Sequence, residues 1–160
     1  MVLYIISVGG SLIVPDKIDT KFLKDFKDLI NKRIKKKDKF VLIAGGGKVC
    51  RLYQSAASKV VEIDNEESDW LGIHSSRLNG HLLRTIFKSV AHPRLITNYE
   101  KDLSLIGKFN ESILVGAGWK PGWSTDYDAV LCAAHFKSKK IINLSNIDYC
   151  LLYTSDAADE

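Results

Sequence analysis

Short runs of apolar residues alternate along this chain with longer stretches in which apolar positions recur every three or four residues. Leu3-Tyr4-Ile5-Ile6-Ser7-Val8 and Phe40-Val41-Leu42-Ile43-Ala44 are of the first kind. Nearly continuous apolar character with β-branched residues predicts strands buried on both faces, as in a parallel sheet. Arg94-Leu95-Ile96-Thr97, Ser112-Ile113-Leu114-Val115 and Ile141-Ile142-Asn143-Leu144 read as shorter strands. Of the second kind, Phe22, Leu23, Phe26, Leu29, Ile30 and Ile34 repeat at helical spacing behind Asp19 and Thr20, two candidate N-caps. A helix is expected over residues 49–59. A longer one is expected from about Ser68, with Trp70, Leu71, Ile73, Leu78, Leu82, Leu83 and Ile86 on its apolar positions and His92-Pro93 as its latest stop. Residues 116–125 form a loop rich in Gly and Trp, and Asp126 is expected to cap a helix running to about Phe136. Strands alternating with helices imply an α/β fold, a three-layer α/β/α sandwich around a mostly parallel central sheet.

Length and charge narrow the picture. The 160 residues suffice for one domain with a real core. The net charge of +4 is concentrated in Lys32, Arg33, Lys35, Lys36, Lys37 and Lys39. No aromatic residues are interleaved with these charges, so the run reads as a solvated helix end and no nucleic-acid partner is expected. Cys50, Cys132 and Cys150 have neither CxxC spacing nor a His partner at ligand spacing. Neither a disulfide framework nor a zinc site is expected, and a reducing, cytoplasmic setting fits. The apolar residues 2–8 are too few to span a membrane and lack the basic start of a signal peptide.

The chemistry is expected where glycines follow strands. Gly9-Gly10, Gly45-Gly46-Gly47, and Gly116 with Gly118 each come directly after a predicted strand. Ligands of open parallel sheets bind beyond the carboxyl ends of the strands, so the three clusters should meet on one edge. Glycine lets backbone N–H groups approach an anion closely, which suits a phosphate. The spacing fits neither a P-loop, since Leu42 and Val49 hold its Gly and Ser/Thr positions around Gly47-Lys48, nor a G-x-G-x-x-G fingerprint. Lys48 and Arg51 lie one helical turn apart and can project together as phosphate ligands or stand as surface cations. Asp69 is either a ligand or a helix-start carboxylate. Asn79, a poor helix former inside an amphipathic helix, points to a hydrogen-bonding task.

Taken in order, five segments resemble one family. They are Ser7-Val8-Gly9-Gly10-Ser11-Leu12-Ile13-Val14-Pro15; Ala44-Gly45-Gly46-Gly47-Lys48 with Arg51; Asp69-Trp70-Leu71-Gly72-Ile73 continuing through Arg77-Leu78-Asn79-Gly80; Pro121-Gly122-Trp123-Ser124-Thr125-Asp126; and Ser145-Asn146-Ile147-Asp148. Together they resemble the archaeal-type UMP kinases of the amino-acid-kinase superfamily. That resemblance implies phosphoryl transfer from ATP, with Mg²⁺, to UMP. It implies that Gly9, Gly10 and Ser11, with Gly47, hold the transferring phosphoryl group, and that Gly45, Gly46 and Arg51 hold the UMP phosphate. Asp69 would bond the ribose, Gly72, Asn79 and Thr125 would complete the acceptor site, and Asp126 would organise the catalytic groups. It further implies a hexamer at full length.

The chain departs from the superfamily it resembles at Ser7, where many members carry a Lys that archaeal-type UMP kinases also lack. Lys48 and then Lys120 are the candidates for the neutralising cation. Tyr127-Asp128 reads as a short insertion, so Asp128 competes with Asp126 for the catalytic role. The resemblance ends at Tyr149. Residues 1–149 would be the acceptor-binding part of the domain, so weak or no turnover is expected of the chain as given, and residues 150–160 look like a translated sequencing adapter rather than native protein. Sibling kinases acting on N-acetylglutamate or isopentenyl phosphate, and a non-catalytic nucleotide- or oxyanion-binding relative, are the alternatives.

Overall fold

The computed structural model describes residues 1–146. Residues 147–160, which include Ile147-Asp148 of the last motif and the suspected adapter, lie outside the described residues. Five strands, β1 (Leu3–Val8), β2 (Lys39–Ala44), β3 (Ala91–Ile96), β4 (Ile113–Gly116) and β5 (Ile141–Leu144), form one sheet in the order β3-β4-β2-β1-β5. Every pairing is parallel, with Ile6 opposite Leu42 and Leu42 opposite Val115 at the centre. Six helices connect them: α1 (Gly10–Ile13), α2 (Thr20–Ile34), α3 (Gly47–Val60), α4 (Asn65–Ile86), α5 (Tyr99–Ile106) and α6 (Thr125–Phe136).

The period-2 geometry of a strand sorts each central strand onto two faces. Ile6, Val8, Phe40, Leu42, Ile113 and Val115 meet α2 and α4 through Leu23, Phe26, Ile30, Leu83 and Phe87. Ile5, Val41, Ile43 and Leu114 point the other way and meet α5 and α6 through Tyr99, Leu103, Ala129 and Cys132. Both faces are covered, as the apolar runs required, and the three-layer sandwich follows. β5 differs: Ile141 and Ile142 are 49% and 38% exposed, so this edge strand is apolar without being buried.

Several boundaries differ from the sequence expectation for local reasons. α4 begins at Asn65, ahead of Ser68, because Asp64 and Glu67 form a reciprocal capping box. The cap of α6 is Ser124, whose hydroxyl accepts from the Tyr127 amide; Asp126 sits inside the first turn. β3 starts at Ala91 and takes in Pro93. An edge strand tolerates a proline, and its pairing with β4 shifts register between Ala91 and Leu95. α5 had no counterpart in the apolar pattern. It starts on Asn98, whose side chain accepts from the Lys101 amide. The basic run ends α2 as expected, with Lys37 turning at φ 65° before Lys39 enters β2.

The connections after β2 pass over the α2/α4 face, and those after β4 pass over the α5/α6 face. β2 and β4 are neighbours. Their carboxyl ends therefore diverge to opposite faces, which opens a crevice between the segments that follow them.

Candidate functional site

A cleft of about 280 Å³ occupies that crevice. Of the expected residues, Gly46, Gly47, Arg51, Asp69, Gly72, Gly118 and Thr125 line it. Lys120 and Trp123 close its far side. The remaining expected residues stand behind or beside this lining.

The turns after β1 and β2 interlock. A Cβ added at Gly10 would lie 2.0 Å from the Gly47 nitrogen and 2.7 Å from the Gly45 carbonyl carbon. One at Gly47, where φ is +68°, would lie 2.3 Å from the Gly10 oxygen. Backbone thus touches backbone where the two turns cross, and only glycine fits. Asn79 braces the second turn from below. Its buried amide nitrogen donates to the carbonyls of Gly45 (2.8 Å) and Gly46 (3.1 Å). Its hydrogen-bonding task, read from the sequence, is directed to the loop backbone. On the first turn, the Ser11 hydroxyl donates to Asn146 Oδ1 at 2.9 Å, and the Gly9 amide continues the ladder to the Leu144 carbonyl.

The opposite wall is the segment of residues 117–124 between β4 and α6, and α4 holds it. The Ser76 hydroxyl accepts from the Gly118 amide at 2.8 Å and donates to the Ile73 carbonyl. Arg77 donates through Nε to the Gly118 carbonyl (3.1 Å) and through Nη2 to the Trp119 carbonyl (2.9 Å). Asp69 Oδ2 accepts from the Gly122 amide at 2.7 Å. Ser76 was not singled out from sequence, and Arg77 stood in the Arg77-Leu78-Asn79-Gly80 motif without a role of its own. A signal existed: Ile73, Ser76, Arg77 and Gly80 share one helical stripe, and an arginine on a core-facing stripe needs acceptors nearby.

The charged groups divide. Arg51 lines the cleft and has no ion pair among the described residues. Lys48 points away from the cleft and pairs with Asp16. Lys120 Nζ sits over two indole faces, 4.1 Å from the Trp119 centroid and 4.4 Å from that of Trp123. Asp126 Oδ1 accepts from Ser7 Oγ at 2.6 Å, which places this carboxylate at the carboxyl end of β1. Asp128 points into the core, fully buried, and neither oxygen has a hydrogen-bond partner. Burial pushes its carboxyl up to about 7. At the cleft, burial raises the Cys50 thiol, Arg51 opposing and Asp69 adding to the effect, so this thiol stays protonated.

Residues 3–157 match the amino acid kinase family. The chain belongs to that family. Within it, the chain is 32% identical over 152 residues to the uridylate kinase of Thermococcus onnurineus and 33% identical over 156 residues to that of Methanosarcina barkeri. These alignments take in 95% and 96% of this chain and 65% and 63% of the relatives. The chain therefore spans about 65% of the length of the curated relatives it matches. The crystal structure of uridylate kinase from Archaeoglobus fulgidus superposes with a TM-score of 0.75 at 25% identity, over 92% of this chain and 65% of that one. Aspartate kinase from Synechocystis shares the fold, with a TM-score of 0.70 at 13% identity. This family membership and the sheet order agree with the α/β architecture expected from the apolar pattern.

Proposed function

We propose that this amino acid kinase family member is a UMP kinase, transferring the γ-phosphoryl group of ATP to UMP to give UDP. The observation that carries the reading is the cleft at the β2/β4 crevice, lined by the glycine turn after β2, by Thr125 and by an Arg51 that has no ion pair among the described residues. The kinship to proteins named uridylate kinase supplies the substrate class.

Phosphoryl transfer asks the protein for positioning and charge neutralisation more than for covalent chemistry. In this reading Gly45 and Gly46 present backbone to the UMP phosphate and Arg51 grips it with a planar fork. Asp69 and Gly72 border the ribose, and Thr125 closes the acceptor site. Gly9, Gly10, Ser11 and Gly47 cradle the transferring group, and Asp126, held by Ser7, orients the reacting groups. Lys120, which lines the cleft, supplies the neutralising charge in preference to Lys48. ATP would bring the phosphoryl group, and the Mg²⁺ ion accompanying it would offset the polyphosphate charge. Among the described residues no three His, Cys, Asp or Glu side chains cluster to hold a metal. A Mg²⁺ ion arriving with the nucleotide would be held by its phosphates together with one or two carboxylates, a usual arrangement for Mg²⁺.

A thermal-shift panel tests the acceptor. UMP should raise the melting temperature, since a ligand that binds only the folded state stabilises it by about 2.7 kcal/mol at a hundredfold excess over Kd. Cytidine and adenosine monophosphates, N-acetylglutamate and isopentenyl phosphate should do less. A larger shift with any of these would replace UMP as the acceptor. Formation of UDP from UMP and MgATP by a chain completed to the length of its relatives tests the transfer itself, and UMP binding without turnover in that completed chain would favour a non-catalytic relative.

A further inference from the structure

We infer that Arg77 is the positioning residue that sets the acceptor cleft, by fastening the wall of residues 117–124 to the same helix that forms the opposite border. The substrate named in its test rests on the UMP reading above. α4 contributes Asp69, Gly72, Ile73 and Ser76 to the lining. One helical turn beyond Ile73, Arg77 leaves the cleft and reaches under the loop. Its Nε meets the Gly118 carbonyl at 3.1 Å, and its Nη2 meets the Trp119 carbonyl at 2.9 Å and the Thr97 carbonyl at 3.4 Å. Ser76 takes the Gly118 amide at 2.8 Å. The amide and the carbonyl of Gly118 are thus bonded to consecutive residues of α4.

The chemistry of this contact is unusual for an arginine. Among the described residues Arg77 has no carboxylate within ion-pair distance, and its side-chain hydrogen bonds all run to main-chain carbonyls. A guanidinium taken partly out of water without a counter-ion is costly, and its fixed fork of donors is suited to holding several acceptors at once. The three carbonyls belong to two separate connections, one after β3 and one after β4. Tyr99 joins the same connections from the other side, donating to the Ala117 carbonyl at 3.0 Å. Arg77 therefore fixes the height of the wall on which Lys120 and Trp123 stand. Asp69 pins the wall's far end at Gly122.

The test replaces Arg77 with Met, which keeps length and removes every donor, and with Lys, which keeps the charge and part of the bonding. Ser76→Ala serves as a second route to the same wall. Two readouts are taken. Without ligand, amide hydrogen exchange at Gly118 and Gly122 and acrylamide quenching of tryptophan fluorescence report how firmly the wall is held. With UMP, the dissociation constant reports the cleft.

For Arg77→Met, exchange at Gly118 and Gly122 should speed up about tenfold while amides of β1 and β2 keep their protection, and UMP should bind about tenfold more weakly. Arg77→Lys should recover part of both. If Arg77→Met compromises folding, Ser76→Ala must loosen Gly118 and weaken UMP in the same direction. Unchanged exchange in these variants, or a loosened wall with undiminished UMP affinity, overturns the inference. Failure of UMP to bind the unaltered protein would instead sink the UMP reading, and the ligand-free exchange would still judge Arg77.

Discussion

The two walls of the cleft are built from different materials. On the glycine side, the turns after β1 and β2 press main chain against main chain, and Gly10 and Gly47 leave no room for a Cβ. On the far side, the loop of residues 117–124 hangs from three side chains of α4. A contact between backbones is all or nothing, because neither partner can move without dragging a strand with it. A contact through side chains can be weakened one bond at a time. The first wall should therefore respond to substitution by collapse, and the second by graded loosening.

Gly10→Ala should have the largest effect. Its methyl group would sit 2.0 Å from the Gly47 nitrogen, and no rotamer change relieves a clash with main chain. We expect a loss upward of roughly 4 kcal/mol, read by urea unfolding, or no folded protein at all. A variant with near-normal stability would show that the two turns are not in contact and would remove the glycine wall.

Next comes Asp128, on the helix that continues the second wall into the core. Its carboxyl is fully buried without a hydrogen bond, and burial alone raises it to about 7. Tyr99 and Cys132 beside it are raised as well, so both stay neutral through this range. Between about pH 4 and pH 7 the unfolded chain gives up this proton while the native state keeps it. The unfolded state then binds fewer protons, and stability falls as pH rises through that window and levels off above it. Asp128→Asn keeps the shape and removes the ionisation. Variant and parent should match near pH 4. At pH 8 the variant should be the more stable, by on the order of 2–4 kcal/mol, in urea unfolding across the pH range. A parallel pH dependence in the two proteins would mean that this carboxylate has found water or a partner.

The contrast between the walls also explains what the sequence revealed. Gly9-Gly10 and Gly45-Gly46-Gly47 were legible because each follows an apolar run, so strand end and turn are read from neighbouring residues. The convergence of the glycine turns followed from a parallel sheet, which puts the carboxyl ends of all its strands on one edge. Arg77 was not legible as a splint, because its acceptors at Thr97, Gly118 and Trp119 are distant in sequence. α5 was missed for a related reason. It buries only Tyr99, Asp102 and Leu103, too few positions to establish a helical period, and the hydrogen bonds that Asp102 accepts from the Thr97 and Asn98 amides are visible only in the fold. Asp126 and Asp128 are two residues apart and chemically identical in sequence. Only the pitch of α6 sends one to Ser7 and the other into the core.

Asn79 lies between the extremes, since it is a side chain that supports the backbone wall. Asn79→Ala removes the donor to the Gly45 and Gly46 carbonyls and leaves a buried gap beneath them. Losing one partner of buried hydrogen bonds costs about 2 kcal/mol, less than the backbone clash at Gly10. UMP affinity should fall together with stability, because the same two carbonyls set the shape of the turn. Lost stability with intact affinity would detach the brace from the cleft.

The smallest effects should separate the two lysines. Lys48 and Lys120 both flank the cleft in sequence, but Lys48 turns outward to Asp16 while Lys120 lines the cleft above two indoles. An exposed ion pair contributes little to stability, and a cation already committed outside the cleft adds little field within it. Lys48→Met should therefore leave both the unfolding midpoint and UMP affinity where they were. Lys120→Met should leave stability nearly intact and weaken UMP by about fivefold, the scale of one partly solvated charge near a phosphate. The loss should shrink as salt is raised, since the charge acts across a solvent-open cleft. Isothermal titration at low and high ionic strength reads both quantities. If Lys48→Met carries the salt-sensitive loss, the neutralising cation stands on the glycine wall, and the loop held by Arg77 shapes the cleft without charging it.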